Sequence, residues 1–256
     1  MDFGGMLDDA FSYSKESIWG KWKHWFLLLV SMIIFPLILG YMVRIYRGEK
    51  PAPELKEWGS MFVDGLKLLV VELVYAAPVI LLMIIAFLPF ISTMITSGAF
   101  GQDFEMMSDT QLEQWFISHP EVFTAAGLMV ILILVAIVIA IIISIFSFLG
   151  AIRFARTRSM GEAFNFSAIL AHIRRIGWLN YIFALIVIGI IGFILGMILN
   201  VFSFIPVAGD AIELLVMAVV YPPFIVFSSR YATCVYENGI EQKEIPVTPV
   251  DANNQI

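Results

Sequence analysis

Five stretches of this chain are apolar over lengths that a soluble core helix does not need: residues 25–43, 68–95, 122–149, 178–202 and 211–229. A helix rises 1.5 Å per residue, so ~20 apolar residues cross a ~30 Å hydrocarbon layer. Composition points the same way. The chain is 60% apolar and 14% charged, against about 25% charged in soluble domains, which leaves too little polar surface to coat a soluble globule. The expected fold is all-α: a polytopic transmembrane helical bundle of about five membrane segments with amphipathic surface helices between them. One helical membrane domain over 1–239 and a polar, disordered tail over 240–256 are expected.

The segments between the blocks carry their own signals. Residues 1–17 are polar and acidic, without the basic start and small-residue pair of a cleavable signal peptide. Residues 2–24 read as an amphipathic helix, with Phe3, Met6, Leu7, Ala10, Phe11 and Ser14 at helical spacing. Trp19, Trp22 and Trp25 then mark a water–lipid boundary. The loop 44–67 contains Lys50-Pro51-Ala52-Pro53, which cannot continue a helix. The loop 96–120 is acidic and has no lysine or arginine. Within it, 108–116 is predicted as a short surface helix capped by Ser108 and Gln111. Cys234 is the only cysteine, so no intrachain disulfide forms.

An internal duplication organises the chain. Leu7-Asp8-Asp9-Ala10-Phe11-Ser12-Tyr13-Ser14 aligns without a gap on Met160-Gly161-Glu162-Ala163-Phe164-Asn165-Phe166-Ser167. At the same offset Lys21 falls on Arg174 and Trp25 on Trp178, while Asp64 to Pro78 resembles Asp210 to Phe224. Repeat one then covers about 7–95 and repeat two about 160–233, with 122–150 as the connecting helix.

With five crossings, the loops 44–67 and 151–177 and the C-terminus share one side, which holds 12 cations against 3 (Lys15, Lys21 and Lys23) on the other. The positive-inside rule places the basic loops in the cytoplasm of a multi-pass cell-membrane protein. The duplication, however, pairs the N-terminus with the cytoplasmic stretch 160–177. Either block one is a re-entrant hairpin broken at Pro36, or it spans and the halves are inverted repeats. Its 19 residues favour a single span, because a re-entrant loop needs protein cover.

The order of motifs resembles a family of archaeal membrane proteins, domain of unknown function 4013. The resemblance lies in Leu39-Gly40-Tyr41-Met42-Val43-Arg44, in Trp58-Gly59-Ser60-Met61-Phe62-Val63-Asp64-Gly65-Leu66-Lys67, in Gly150-Ala151-Ile152-Arg153-Phe154-Ala155-Arg156 and in Glu162-Ala163-Phe164-Asn165-Phe166. It implies an archaeal cell-membrane protein and, carrying no activity, implies no catalytic residues.

Three candidate sites follow from the residues. Glu72 is an ionisable group inside block two, costly there unless paired or hydrated; Lys67 and Arg153 are the partners within reach by sequence. Gly189, Gly192 and Gly196 form a small-residue stripe on block four, suited to close helix packing within the chain or between chains. Arg153, Arg156, Arg158, Arg174 and Arg175 bracket an amphipathic stretch and suit contact with anionic lipid headgroups. Asp210 and Glu213 open block five as dipole-complementing acids. His24, His119 and His172 are scattered, and no metal, phosphate-loop or nucleophile motif is present. No cofactor and no nucleic-acid partner are expected. The expected function is a non-enzymatic membrane scaffold or accessory protein that contacts the bilayer, a second copy or another membrane protein. The alternative is a small transporter or channel built on the duplicated halves.

Overall fold

The structure, a computed structural model, describes residues 1–101, 106–205 and 209–244, which are helical throughout apart from turns and connecting loops. Where the sequence suggests one domain, the contacts gather into two compact units, 1–72 with 145–256, and 73–144.

The first unit opens with α1 (Phe3–Ile18), capped by the Asp2 carboxylate, which accepts from the Gly5 amide at 3.0 Å. Its buried face is Met6, Ala10, Tyr13, Ser14 and Ser17. Gly20, at φ 72, turns the chain into α2 (Trp22–Ile33), and α3 (Phe35–Tyr46) follows after one non-helical residue, Ile34. Pro36 sits in the first turn of α3, where its missing N–H costs nothing but a continuous helix could not include it unstrained.

Block one is therefore two 12-residue helices, each about 18 Å long and too short to cross a bilayer. They pack antiparallel: His24 Nε2 lies 3.2 Å from the Tyr41 hydroxyl. The chain then comes back to α1, where the Tyr13 hydroxyl donates to Glu49 O at 2.9 Å and Lys50 pairs with Asp9. The single helix expected over block one is thus replaced by a helical hairpin, the alternative that Pro36 offered. The protein cover that made a hairpin seem costly is present, since Leu28, Leu37, Ile38, Tyr41 and Ile45 pack into one core with Tyr13, Met61 and Val226. The tip stands clear, with Ile33, Ile34 and Phe35 exposed, as do Trp22 and Phe26 on the first arm.

Among the described residues, four helices are long and apolar enough to span: α4 (Trp58–Thr96), α6 (Pro120–Thr157), α9 (Trp178–Asn200), prolonged by a 3-10 turn at Val201–Phe204, and α10 (Gly209–Glu244). Three outrun their apolar blocks at the basic end: α4 starts ten residues before Leu68, α6 runs to Thr157, and α10 runs past Arg230 to Glu244. The expected tail thus begins as helix, and residues 245–256 lie outside the described residues. α3 and α4 approach closely at two glycines, because a Cβ on Gly40 would overlap the Met61 carbonyl and one on Gly65 the Pro36 carbonyl.

Between α6 and α9 the amphipathic stretch is not one helix. A single turn, α7 (Met160–Ala163), precedes α8 (Phe166–Ile176), whose cap is Asn165 Oδ1 accepting from the Ala168 amide at 3.1 Å. α8 buries Ile169, His172, Ile173 and Ile176. Its three isoleucines join Met6, Ala10, Leu149, Ile152, Tyr181, Tyr231 and Val235 in the second core of this unit.

The second unit holds the distal part of α4, which continues through Pro78 and Pro89, the proximal part of α6, and α5 (Asp109–Ser118). The Ser108 amide donates to Gln111 Oε1 at 2.9 Å, the expected cap. Trp115 packs with Ala99 and Val122 and donates from its indole to Ser97 O at 3.3 Å. Asp103 and Glu105 of the acidic loop lie outside the described residues.

Candidate functional site: an arginine hub at the helix ends

A helix ends with four carbonyls that lack intrahelical donors and with the negative end of its dipole. Three helices of the first unit meet that demand with arginine at related places: Arg44-Ile45-Tyr46-Arg47 closing α3, Arg153-Phe154-Ala155-Arg156 closing α6, and Arg230-Tyr231-Ala232-Thr233 within the basic end of α10. The first two cross over. Arg47 Nε donates to Ala155 O at 3.3 Å, and Arg156 Nε donates to Tyr46 O at 2.6 Å. Thr233 Oγ1 donates to Ile45 O at 3.2 Å, which ties α10 to the same end of α3.

Carboxylates neutralise the hub from neighbouring elements. Arg47 pairs with Asp64 of α4 at 2.6 Å, and Arg156 with Glu237 of α10 at 2.5 Å. Arg230 pairs with Asp9 of α1 at 2.6 Å and reaches Glu237 at 3.5 Å. Its side chain is only 2% exposed, so it depends on those two acids and on the Tyr13 ring, whose centroid lies 5.4 Å from the guanidinium carbon. Burial raises the Asp9 carboxyl pKa. Hydrogen bonds from Cys234, Arg230 and Lys50 outweigh that and hold it below its ordinary value. Burial likewise pushes the Tyr13 phenol well above its usual range, so it stays a neutral donor.

A charged cleft of about 640 Å³ adjoins the hub, with Arg44, Arg47, Lys67 and Arg158 facing Glu57 and Asp64. Among the described residues, no three His, Cys, Asp or Glu side chains gather as a metal site would require. The arrangement ties five helices, α1, α3, α4, α6 and α10, to one another through charge.

The structure disperses the arginines that the sequence grouped. Arg153 is taken by Glu162, with Nε at 2.8 Å, and Arg156 by the hub, so both turn inward; Arg158, Arg174 and Arg175 are exposed. Glu72 is half-buried on α4. It is paired with neither Lys67 nor Arg153 and has no ion-pair partner among the described residues. Of the glycine stripe, a Cβ at Gly192 would stand in ordinary contact with the Phe224 ring of α10 at 3.6 Å, whereas one at Gly189 or Gly196 would meet nothing within 4 Å among the described residues. His172 is buried, stacked on Tyr236, with Nε2 2.9 Å from Tyr236 O. Burial, only partly opposed by that hydrogen bond, keeps it below its ordinary pKa and favours the neutral ring. The side chain of Asp210 lies outside the described residues.

Sequence reasoning missed Asp9, Arg230 and Glu237 as site residues. The recurring arginine followed by an aromatic or aliphatic residue at three block ends was the available signal. So was the alignment of Asp9 on Glu162, two acids that each pair with an arginine at the end of a long helix.

Fold and hub together define a multi-pass α-helical membrane protein in which a cluster of arginines and carboxylates joins helices of the first unit. Residues 25–204 match the family described as Protein of unknown function (DUF4013), and the chain belongs to that family. The match contains Gly40, Asp64, Gly65, Arg153, Arg156 and Glu162, whereas Asp9, Arg230 and Glu237 lie outside it. No curated protein and no solved structure matches the chain.

Proposed function

We propose that this protein is a non-enzymatic scaffold or accessory subunit of the cell membrane, with its arginine hub on the cytoplasmic side. The observation that carries the reading is the hub itself, in which arginines and carboxylates are engaged with one another and with helix carbonyls, holding helix ends in place. The spans have little intrachain cover: the most apolar windows of α4, α6, α9 and α10 are 17, 6, 11 and 11% buried. Most of their surface is left for lipid or for neighbouring proteins. The hairpin favours the orientation, because returning the N-terminus to the side of loop 44–57 puts Lys15, Lys21 and Lys23 with the other 12 cations. All 15 lysines and arginines then share one side.

A second reading, a small transporter or channel, rests on Glu72, an ionisable side chain in a membrane helix with no ionic partner among the described residues. One experiment separates the two. Purified protein is reconstituted into vesicles loaded with dyes for protons, sodium or potassium, and a gradient is imposed. The scaffold reading expects fluxes equal to those of protein-free vesicles. A gradient-driven flux that Glu72→Gln abolishes establishes transport instead.

A further inference from the structure

On the N-terminal side of the first unit, α1, the turn into α2 and the middle of α10 enclose an apolar groove of about 1070 Å³, at the top of the ~300–1,000 Å³ range of small-molecule pockets. Phe11, Ile18, Trp19, Trp22, Trp25 and Val219 give it its character. Phe11, Trp19 and Trp22 are 62, 80 and 77% exposed, so these large rings are not spent on the protein's own core. The floor is fixed by proline chemistry. Pro223 lacks the amide that would bond Val219 O, and the Trp25 indole stands in at 3.5 Å. Ser14 Oγ donates to Pro223 O at 2.8 Å and binds α1 to the same stretch.

The rim is cationic. Lys15 lines the groove and Lys21 and Lys23 follow its tryptophans; all three are exposed, and none has an ion-pair partner among the described residues. The acid next to them in sequence is Glu16 alone. Indole rings prefer the headgroup level of a bilayer, and the neighbouring hairpin dips into the hydrocarbon. From this geometry we infer that the groove is a binding site for one anionic glycerophospholipid, its acyl chain along Phe11, Ile18 and Val219 and its headgroup phosphate at Lys15, Lys21 and Lys23. The site is separate from the arginines 153–175 and independent of whether the protein scaffolds or transports.

Tryptophan fluorescence tests it in the full chain with Trp58, Trp115 and Trp178 replaced by phenylalanine, which leaves the three groove indoles. Dibrominated phosphatidylglycerol and dibrominated phosphatidylcholine are titrated into detergent-solubilised protein at low salt. The expected result is half-maximal quenching by the anionic lipid at a mole fraction lower by about five-fold or more, the discrimination one lysine gives near an anionic surface. The preference disappears in Lys15→Gln/Lys21→Gln/Lys23→Gln, and also in Val219→Trp, which keeps the charges but sets a ring across the path of the acyl chain. Equal quenching by both lipids overturns the proposal, as does a preference that survives either variant. Native mass spectrometry of the chain with all six tryptophans guards against misfolding of the reporter. Retention of phosphatidylglycerol that the triple glutamine variant loses supports the site, and equal retention by both proteins overturns it.

Discussion

The two aligned halves begin alike and then part. Each starts with an amphipathic helix on the flank of α10, α1 in one and α8 in the other, and each helix is followed by a glycine of positive φ, Gly20 or Gly177. Beyond the glycine, α9 runs 23 residues without a break, whereas the corresponding stretch folds back at Ile34 into the α2–α3 hairpin. The difference comes from a few residues. Pro36 removes one helical hydrogen bond, which α4 tolerates at Pro78 and Pro89, and here the break is held because Gly40 lets the returning arm sit directly on Met61 and Gly65 of α4. Apolar segments that align in sequence can therefore differ in whether they run on as one helix or fold back, and packing against a neighbour decides the outcome as much as apolar length does.

The comparison breaks most completely if the hairpin crosses after all. Single cysteines introduced as Ser12→Cys, Ser60→Cys, Ser108→Cys and Ser159→Cys, in a Cys234→Ser background, are probed with an impermeant thiol reagent on intact cells. Only Ser108→Cys is expected to label. Outside labelling at position 12 turns the hairpin into a span, and labelling at 60 or 159 reverses the orientation.

The next effect concerns the two arginine–acid pairs that the halves contribute. Arg230→Ala leaves Asp9 and Glu237 facing a buried void and is expected to cost about 3–5 kcal/mol, as removal of one buried partner does. Arg153→Ala opens a pair at the surface, with its side chains 21 and 33% exposed, and should lower the melting temperature far less. Thermal melts of the two variants in the same detergent check the ranking, and equal shifts would put the hub on a par with a surface pair.

The smallest effect tests the glycines. Gly40→Ala forces α3 off α4 and should cost roughly 1–3 kcal/mol, the usual penalty of overpacking. Gly196→Ala meets open space and should melt with the wild type. A destabilised Gly196→Ala would mean that the stripe on α9 packs against a second chain.

Legibility in the sequence followed the reach of the interactions. The long helices were visible because apolar length is a local property, and so was the Ser108–Gln111 cap, made three residues apart. The hairpin was visible only as an alternative, because Pro36 signals a break locally while the cover for its arms comes from Tyr13, Met61 and Val226. Least legible was the hub: Asp9 and Arg230 lie 221 residues apart, and no periodicity links them. The grouping of Arg153 and Arg156 with Arg158, Arg174 and Arg175 failed for a related reason. Charge counts say which side a cation occupies, and only packing says whether it turns inward.

The length of the hairpin also bears on the shape of the membrane around it. Arms about 18 Å long end a little past the middle of a ~30 Å hydrocarbon layer, so two helix cross-sections displace lipid mainly from one leaflet. A bilayer that held such arms from one side would give up space in one leaflet more than in the other, whereas an unbroken 19-residue helix over 25–43 would draw on both leaflets alike.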